Sequence, residues 1–597
     1  MAGVRVGERG KAPEPQSAQT THAAAHASAI TGVQVGQETD LEHNTTALKP
    51  LPPRGGGVGE RGTAGTTEES QTHLKVRAHQ TGASLFLTAP TDQLFLATEI
   101  NEWAWLSACG MHMQHAPGHP ATWDPQAARI CLHKLSVQER HPALTALLKE
   151  AKQQRVPALL DDDQLSLGHG RHHQAFALNS LPDPHHIEWD NLQRIPTALI
   201  TGSNGKTTSV RLLAAMLRAS GKATPHNCTD GLYFNSKLAE AGDYSGPAGA
   251  RWVLRHPQAD AAVIEAARGG MLRRGLAVDH VDAALVTNIS PDHFGEYGIH
   301  TLDDLCDVKL IVARAVRERG YLVLNADDKL LHQRGPTTGK PIAWFSLDPQ
   351  HPAITQAQQQ GSPYTTLHNG ELHLFDGATT CSLGPVNDMP LSMAGAARYN
   401  IQNLLGAALL AHCLGVPSTT IRSTLAKFGA RREDNPGRLQ HWQFGGITVF
   451  MDYAHNPEGL EGLLQVGQAS RIQGGRLGLV LGQAGNRQDE DIAQLAKVAA
   501  AHKPERIALK DLDGYLRGRK QGDVPELLKK ALLAQGQSDD SLSLHAREIE
   551  AVKALLEWAR LGDVLVLPVH ALTAQAEVGS LLDQLRRNNW ICGNEVR

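Results

Sequence analysis

Thr201-Gly-Ser-Asn-Gly-Lys-Thr-Thr208 follows the apolar run Ala198-Leu-Ile200 and precedes Val210 to Leu217, which has the apolar spacing of a helix. Strand, glycine-rich turn, helix is the order a phosphate-binding loop requires, because the loop's backbone N–H groups and the helix N-terminus then converge on one anion. Gly202, Ser203, Asn204 and Gly205 supply that backbone, and Lys206 adds a full positive charge beside the outer phosphates. Thr207, with Thr208 behind it, offers a hydroxyl to Mg²⁺. The common G-x-x-x-x-G-K-[ST] pattern is incomplete, since Ile200 stands where its first glycine would be.

Working outward, further chemistry falls where strands are expected to end. Expected parallel strands are Thr197–Thr201, Ala261–Glu265, Ala283–Asn288, Tyr321–Leu324 and Ile342–Phe345, separated by helical patterns. Ligands of such sheets sit at the strands' C-terminal ends. Glu265 closes the second strand and is a hard oxygen ligand for Mg²⁺. Asp292 and His293 follow the third, and His293 is read as a ligand of metal or phosphate. Lys309 lies on an expected helix, Leu302 to Val316. Asn400 and Asn403, three apart, share one helix face. Arg438 in Pro-Gly-Arg can clamp phosphate with two N–H groups. Asp452 and His455 sit in Asp-Tyr-Ala-His-Asn-Pro457, a sharp turn after the strand Ile447 to Met451; with Arg487 they are expected to close over the nucleotide. The dinucleotide fingerprint G-x-G-x-x-G follows none of these strands.

The chain has 597 residues, too many for one core, and three domains plus a tail are expected. Residues 1–72 are rich in small and polar types and read as a disordered low-complexity tail; the His22/His26 pair within it reads as solvated. Residues 73–190 read as a small N-terminal α/β domain, 191–435 as a central parallel-sheet ATP-binding domain, and 436–597 as a C-terminal Rossmann-like α/β domain. A net charge of −4 gives no sign of a nucleic-acid-coating surface. Seven scattered cysteines without a C-x-x-C pair suit reduced thiols, and no apolar run is long enough for a membrane span, so the expected location is the cytoplasm.

T-G-x-N-G-K-T-T at 201–208, P-G-R at 436–438 and D-Y-A-H-N-P at 452–457 together resemble the Mur ligase superfamily. The stretch 265–276 (E-A-A-R-G-G-M-L-R-R-G-L), Asp230 to Tyr233 and L-R-G-R at 516–519 are most similar to the Mur-ligase-like half of cyanophycin synthetase. The stretch 73–190 is too short for the ATP-grasp module that precedes that half. The resemblance implies an ATP- and Mg²⁺-dependent acid–amino acid ligase. ATP phosphorylates a carboxylate, an amine attacks the acyl phosphate, and an amide forms. It implies that Asn400 approaches adenine, that Arg438 and Asp452 bind the nucleotide, and that Thr207, Glu265, His293 and a carbamylated Lys309 hold the metal. Lys206, His293, Lys309, Arg438, Asp452 and His455 become the catalytic set. The partners implied are a small-molecule or peptide carboxylate acceptor and an amino-acid amine donor, arginine by the subfamily likeness. Self-association and association with a related synthetase both stay open. Two other readings remain: a nucleotide-binding, non-catalytic partner of a complete synthetase, and a P-loop ATPase or kinase.

Overall fold

The computed structural model describes residues 2–6, 74–79, 82–112, 124–292, 294–512 and 514–596. Most of the expected tail, His22 and His26 included, therefore lies outside the described residues, as does His293. Within 1–72, Ala2–Val6 is a strand paired antiparallel with Gly82–Leu87.

The described chain divides into two compact units. The first comprises Met1–Arg155, Asp162–Leu165 and Phe176–Trp189. Its strand Gly82–Leu87 also pairs with Leu74–His79, and helices Leu94–His112, Pro125–Glu139 and Pro142–Gln153 follow. Leu87, Ala97, Trp103, Ala128 and Leu132 form its core. The Asp124 carboxylate caps the second helix by accepting from the N–H groups of Gln126 and Ala127.

The larger unit comprises Val156–Asp161, Ser166–Ala175 and Asp190–Arg597. Residues 156–161 and 166–175, read above with the first domain, thus belong with the second unit. The cause is local. Arg171 N–H donates to the Ala259 carbonyl, His169 N–H donates to that of Gln193, and a Cβ on Gly170 would stand 2.4 Å from the Ala259 carbonyl oxygen.

Within this unit an eleven-stranded sheet runs in the order Lys237–Ala241, Gly231–Phe234, Pro225–Cys228, Ala262–Glu265, Thr197–Thr201, Val281–Val286, Val316–Asn325, Ile342–Ser346, Tyr364–His368, Glu371–Phe375, Thr380–Pro385. Its middle is parallel and both ends are antiparallel hairpins. Alternation along Thr197–Thr201 covers both faces. Ala198 and Ile200 pack with Leu212, Met216, Leu404 and Leu405 on one side; Leu199 packs with Val253, Ile264 and Leu305 on the other. The helix expected over 302–316 is α-helical only over Leu302–Leu310; Ile311–Ala315 is 3₁₀, and Val316 already pairs with Val281 in the sheet.

A second sheet has the order Gln440–Phe444, Ile447–Asp452, Val564–Pro568, Leu477–Leu481, Arg506–Lys510, Leu542–His545, parallel except for its first hairpin. Both sheets are flanked by helices, which makes this an α/β architecture with the C-terminal strand ends of each available for a site.

Candidate active site

The loop after Thr197–Thr201 is held by its neighbours before any ligand is considered. Ser203 N–H donates to the Asn288 carbonyl (3.0 Å) and Asn204 N–H to the Asn288 side-chain oxygen (2.9 Å). Gly202 has φ +144° and a Cβ there would lie 1.8 Å from Thr287 Oγ1; Gly205 has φ +81° and a Cβ there would lie 2.1 Å from Asn403 Oδ1. Both are close approaches in backbone regions that L side chains rarely adopt. Helix Lys206–Ala219 begins directly after Gly205, so its N-terminal N–H groups face the loop's opening. Lys206 Nζ donates to the carbonyls of Gly202 and Ser203, 3.0 Å each.

Thr207 Oγ1 donates to Glu265 Oε2 (2.9 Å), and Thr229 Oγ1 donates to Glu265 Oε1 (2.9 Å). Glu265 is 0% exposed, and burial raises its pKa against the opposing pull of Lys206 and both hydroxyls. A hydroxyl beside a buried carboxylate is an all-oxygen donor set of the kind Mg²⁺ takes. Among the described residues no three His, Cys, Asp or Glu side chains gather, and phosphate and water oxygens commonly complete the shell of this ion. Lys309 is buried, and its pKa is driven well below the ordinary lysine value, first by burial and then by the Lys206 charge, with Asp292 opposing.

The C-terminal sheet contributes from across the opening. Arg487 Nη2 lies 3.2 Å and His455 Nε2 lies 3.6 Å from Asp292 Oδ1. Asn456 Nδ2 donates to Asn204 Oδ1 (2.9 Å), and Asn204 Nδ2 donates to Glu458 Oε2 (2.8 Å). Arg438 lies over the Tyr453 ring (4.4 Å) and 3.5 Å from Asp230 Oδ1. Asp230 also pairs with the buried Arg211 (2.7 Å), which donates in turn to the Pro436 carbonyl (2.8 Å) just before Arg438. Asp452 departs from a purely ligand-facing role: it accepts from the N–H groups of Leu439 (2.6 Å) and Ala454 (2.8 Å). Burial raises its pKa while Arg438 opposes.

These groups enclose a cavity of about 910 Å³, large enough for a nucleotide together with a second substrate. Ser203, Asn204, Gly205, Lys206, Thr207, Thr208, Lys309, Asn400, Arg438, Asp452 and His455 all line it. Gly202 and Glu265 lie behind that lining, Glu265 through its bond to Thr207. Asn403 Nδ2 donates to Asn400 Oδ1 (3.0 Å), so the two amides on helix Arg398–Cys413 act as a unit against Gly205. Thr229, Asn456 and Glu458 have no role in the sequence reading above, although Asn456 lies within Asp-Tyr-Ala-His-Asn-Pro, Glu458 directly follows it and Thr229 directly precedes the Asp230–Tyr233 stretch.

Residues 200–411 match the family model described as Mur ligase middle domain, and residues 437–568 the one described as Mur ligase, glutamate ligase domain. The cyanophycin synthetase of Geminocystis herdmanii is 36% identical over 389 residues, which are 64% of this chain and 43% of that protein. That of Crocosphaera subtropica is 36% identical over 380 residues, 64% of this chain and 43% of that protein. The UDP-N-acetylmuramoyl-L-alanyl-D-glutamate–2,6-diaminopimelate ligase of Chlorobaculum tepidum is 24% identical over 416 residues, 64% of this chain and 72% of that protein. The chain thus spans less than half the length of the cyanophycin synthetases it matches.

Proposed function

We propose, for a chain that belongs to the Mur ligase family through its central and C-terminal domains, an ATP-dependent acid–amino acid ligase that forms an amide through an acyl phosphate. The observation that carries this is the shared cavity. It unites the phosphate loop and the Thr207–Glu265 pair of one sheet with Arg438, His455 and Arg487 of the other. A hydrolase of ATP alone has no use for the second set.

The chain's own residues divide the work. Loop N–H groups and Lys206 hold the outer phosphates and offset charge as the phosphoryl group moves to the carboxylate. Arg438, pinned by Asp230 and Tyr453, presents its guanidinium to a phosphate or carboxylate. Asn400 reads the base. His455 and Arg487, gathered on Asp292, border the side from which the amine enters. Mg²⁺, when bound at Thr207 and Glu265, supplies electrostatic stabilisation of the transferring group. A Lys309 amine whose pKa is lowered by burial is suited to take up CO₂ with release of a proton, and the carbamate would offer an oxygen to the same ion. Both sheets must meet for the site to exist, which excludes water from an acyl phosphate that water would destroy.

The likeness to cyanophycin synthetases supports an aspartyl carboxylate as acceptor and arginine as the incoming amine, in the cytoplasm where ATP is supplied. The test is phosphate release from ATP and Mg²⁺ with paired libraries of amino acids and short aspartate-containing peptides, with Lys206→Ala as control. Release that needs one acid and one amine, and is lost in the control, supports the proposal. Release with ATP alone at the full rate contradicts it, as does none with any pair.

A further inference from the structure

The C-terminal sheet buries a charged pair that none of the chemistry above uses. Lys510 ends the strand Arg506–Lys510, Glu548 opens the helix Glu548–Trp558, and both are 0% exposed and joined as an ion pair. Taking two charges out of water costs more than their attraction returns unless the remaining donors and acceptors are also satisfied. Here they are. Glu548 Oε1 accepts from His570 N–H (2.9 Å) and Oε2 from Ala571 N–H (3.1 Å). The Lys510 ammonium donates to His570 Nδ1 at 3.0 Å. An ammonium can only donate, so Nδ1 keeps its lone pair and the ring's hydrogen stays on Nε2. Nε2 lies 3.1 Å from the Ala454 carbonyl oxygen and gives it that hydrogen.

Ala454 is the middle of Asp-Tyr-Ala-His455. The His570 ring also stands edge-on to Tyr453, with centroids 5.4 Å apart. Tyr453 in turn carries Arg438 on its face and His455 at its edge, 5.2 Å away. Lys510 and Glu548 therefore reach two cavity-lining groups through one imidazole of fixed tautomer.

We propose that Lys510, Glu548 and His570 are positioning residues that lock the Tyr453–His455 turn so that Arg438 and His455 face the cavity together. The kinetic consequence rests on the ligase reading above; the geometric one does not. The charged and titratable groups facing His570 are Lys510, Glu548 and Tyr453. Burial first, and then the Lys510 charge, hold His570 below the usual histidine range, which keeps the one tautomer in place near neutral pH.

The experiment is ¹⁵N-histidine NMR of the full chain together with steady-state kinetics, on wild type, His570→Phe and His570→Gln. Phenylalanine keeps the ring but has no hydrogen to give Ala454; glutamine can donate to Ala454 and accept from Lys510. The expected wild-type spectrum shows His570 neutral and Nε2-protonated at neutral pH. His570→Phe moves the His455 resonances and lowers kcat about tenfold, the loss of one buried hydrogen bond, with KM for ATP unchanged. His570→Gln restores both. Unmoved His455 resonances in His570→Phe, or a glutamine variant as impaired as the phenylalanine one, overturn the proposal. So does a wild-type His570 that is Nδ1-protonated or charged at neutral pH, which needs no variant. If the wild type turns over no substrate pair, the ligase reading fails and the His455 resonances alone decide this one.

Discussion

Gly205→Ala is the substitution whose cost can be followed furthest. Gly205 has φ +81°, and its Cβ would stand 2.1 Å from Asn403 Oδ1, an atom whose amide is tied to Asn400 on the same helix. Placing an L residue in the left-handed region costs about 1–2 kcal/mol. Forcing the Asn403–Asn400 pair aside is overpacking, roughly another 1–3 kcal/mol. The total is about 2–5 kcal/mol, and it is divided between two measurable quantities. If the free loop keeps its shape, the fold loses stability; if it relaxes, ATP affinity falls, by about thirtyfold or more. Thermal denaturation and calorimetric titration with Mg·ATP, added together, recover the whole. Gly221→Ala is the internal control, with φ +86° and nothing within 4 Å of the new Cβ. It loses only the backbone portion and binds ATP as wild type does. A summed loss below about 1 kcal/mol in Gly205→Ala, or one no larger than in Gly221→Ala, refutes the view that the loop is shaped against Asn403.

Three further outcomes follow from the same structure. Thr207→Ala removes the hydroxyl beside buried Glu265 and lowers affinity for Mg·ATP about tenfold while leaving metal-free ATP binding nearly unchanged, checked by titration with and without EDTA. Arg211→Met leaves Asp230 to Arg438 alone and costs about 3–5 kcal/mol, seen as a lower urea midpoint at constant slope. His169 is buried, and burial, followed by the charges of Arg194 and His173, pushes its pKa down to about 3 from 6.5. The folded state therefore binds fewer protons than the unfolded chain between those values, so this stabilisation is complete above pH 6.5 and fades as pH falls toward 3. Between pH 7 and pH 5 the loss is roughly 2 kcal/mol, and His169→Gln abolishes that part of the slope in urea titrations.

What was legible in the sequence was local. Thr201 to Thr208 form the loop because consecutive residues do so; Glu265 and His455 stand out because strand ends announce themselves by an apolar run meeting a polar turn, and Arg438, which precedes the strand Gln440–Phe444, by its Pro-Gly-Arg turn. The antiparallel hairpins Gly231–Ala241 and Glu371–Pro385 lie outside the strands expected above: Lys237–Ala241 is exposed throughout and has no apolar face to read, whereas Glu371–Phe375 does alternate, with Leu372 and Leu374 buried, and was legible. The helix beyond Leu310 was overextended because Ile311 to Val316 is apolar enough for either period. Partners brought together across the sheets left no local trace: Thr229 on Glu265, Glu458 on Asn204, and Lys510 on His570 are 36, 254 and 60 residues apart.

The most direct test of the account is transfer of oxygen. With the acceptor carboxylate labelled with ¹⁸O, an acyl phosphate obliges one label to leave with phosphate when the amine attacks. The account predicts one ¹⁸O per phosphate released, in step with amide formed and only with both substrates present. Phosphate free of label, alongside amide product, would contradict it.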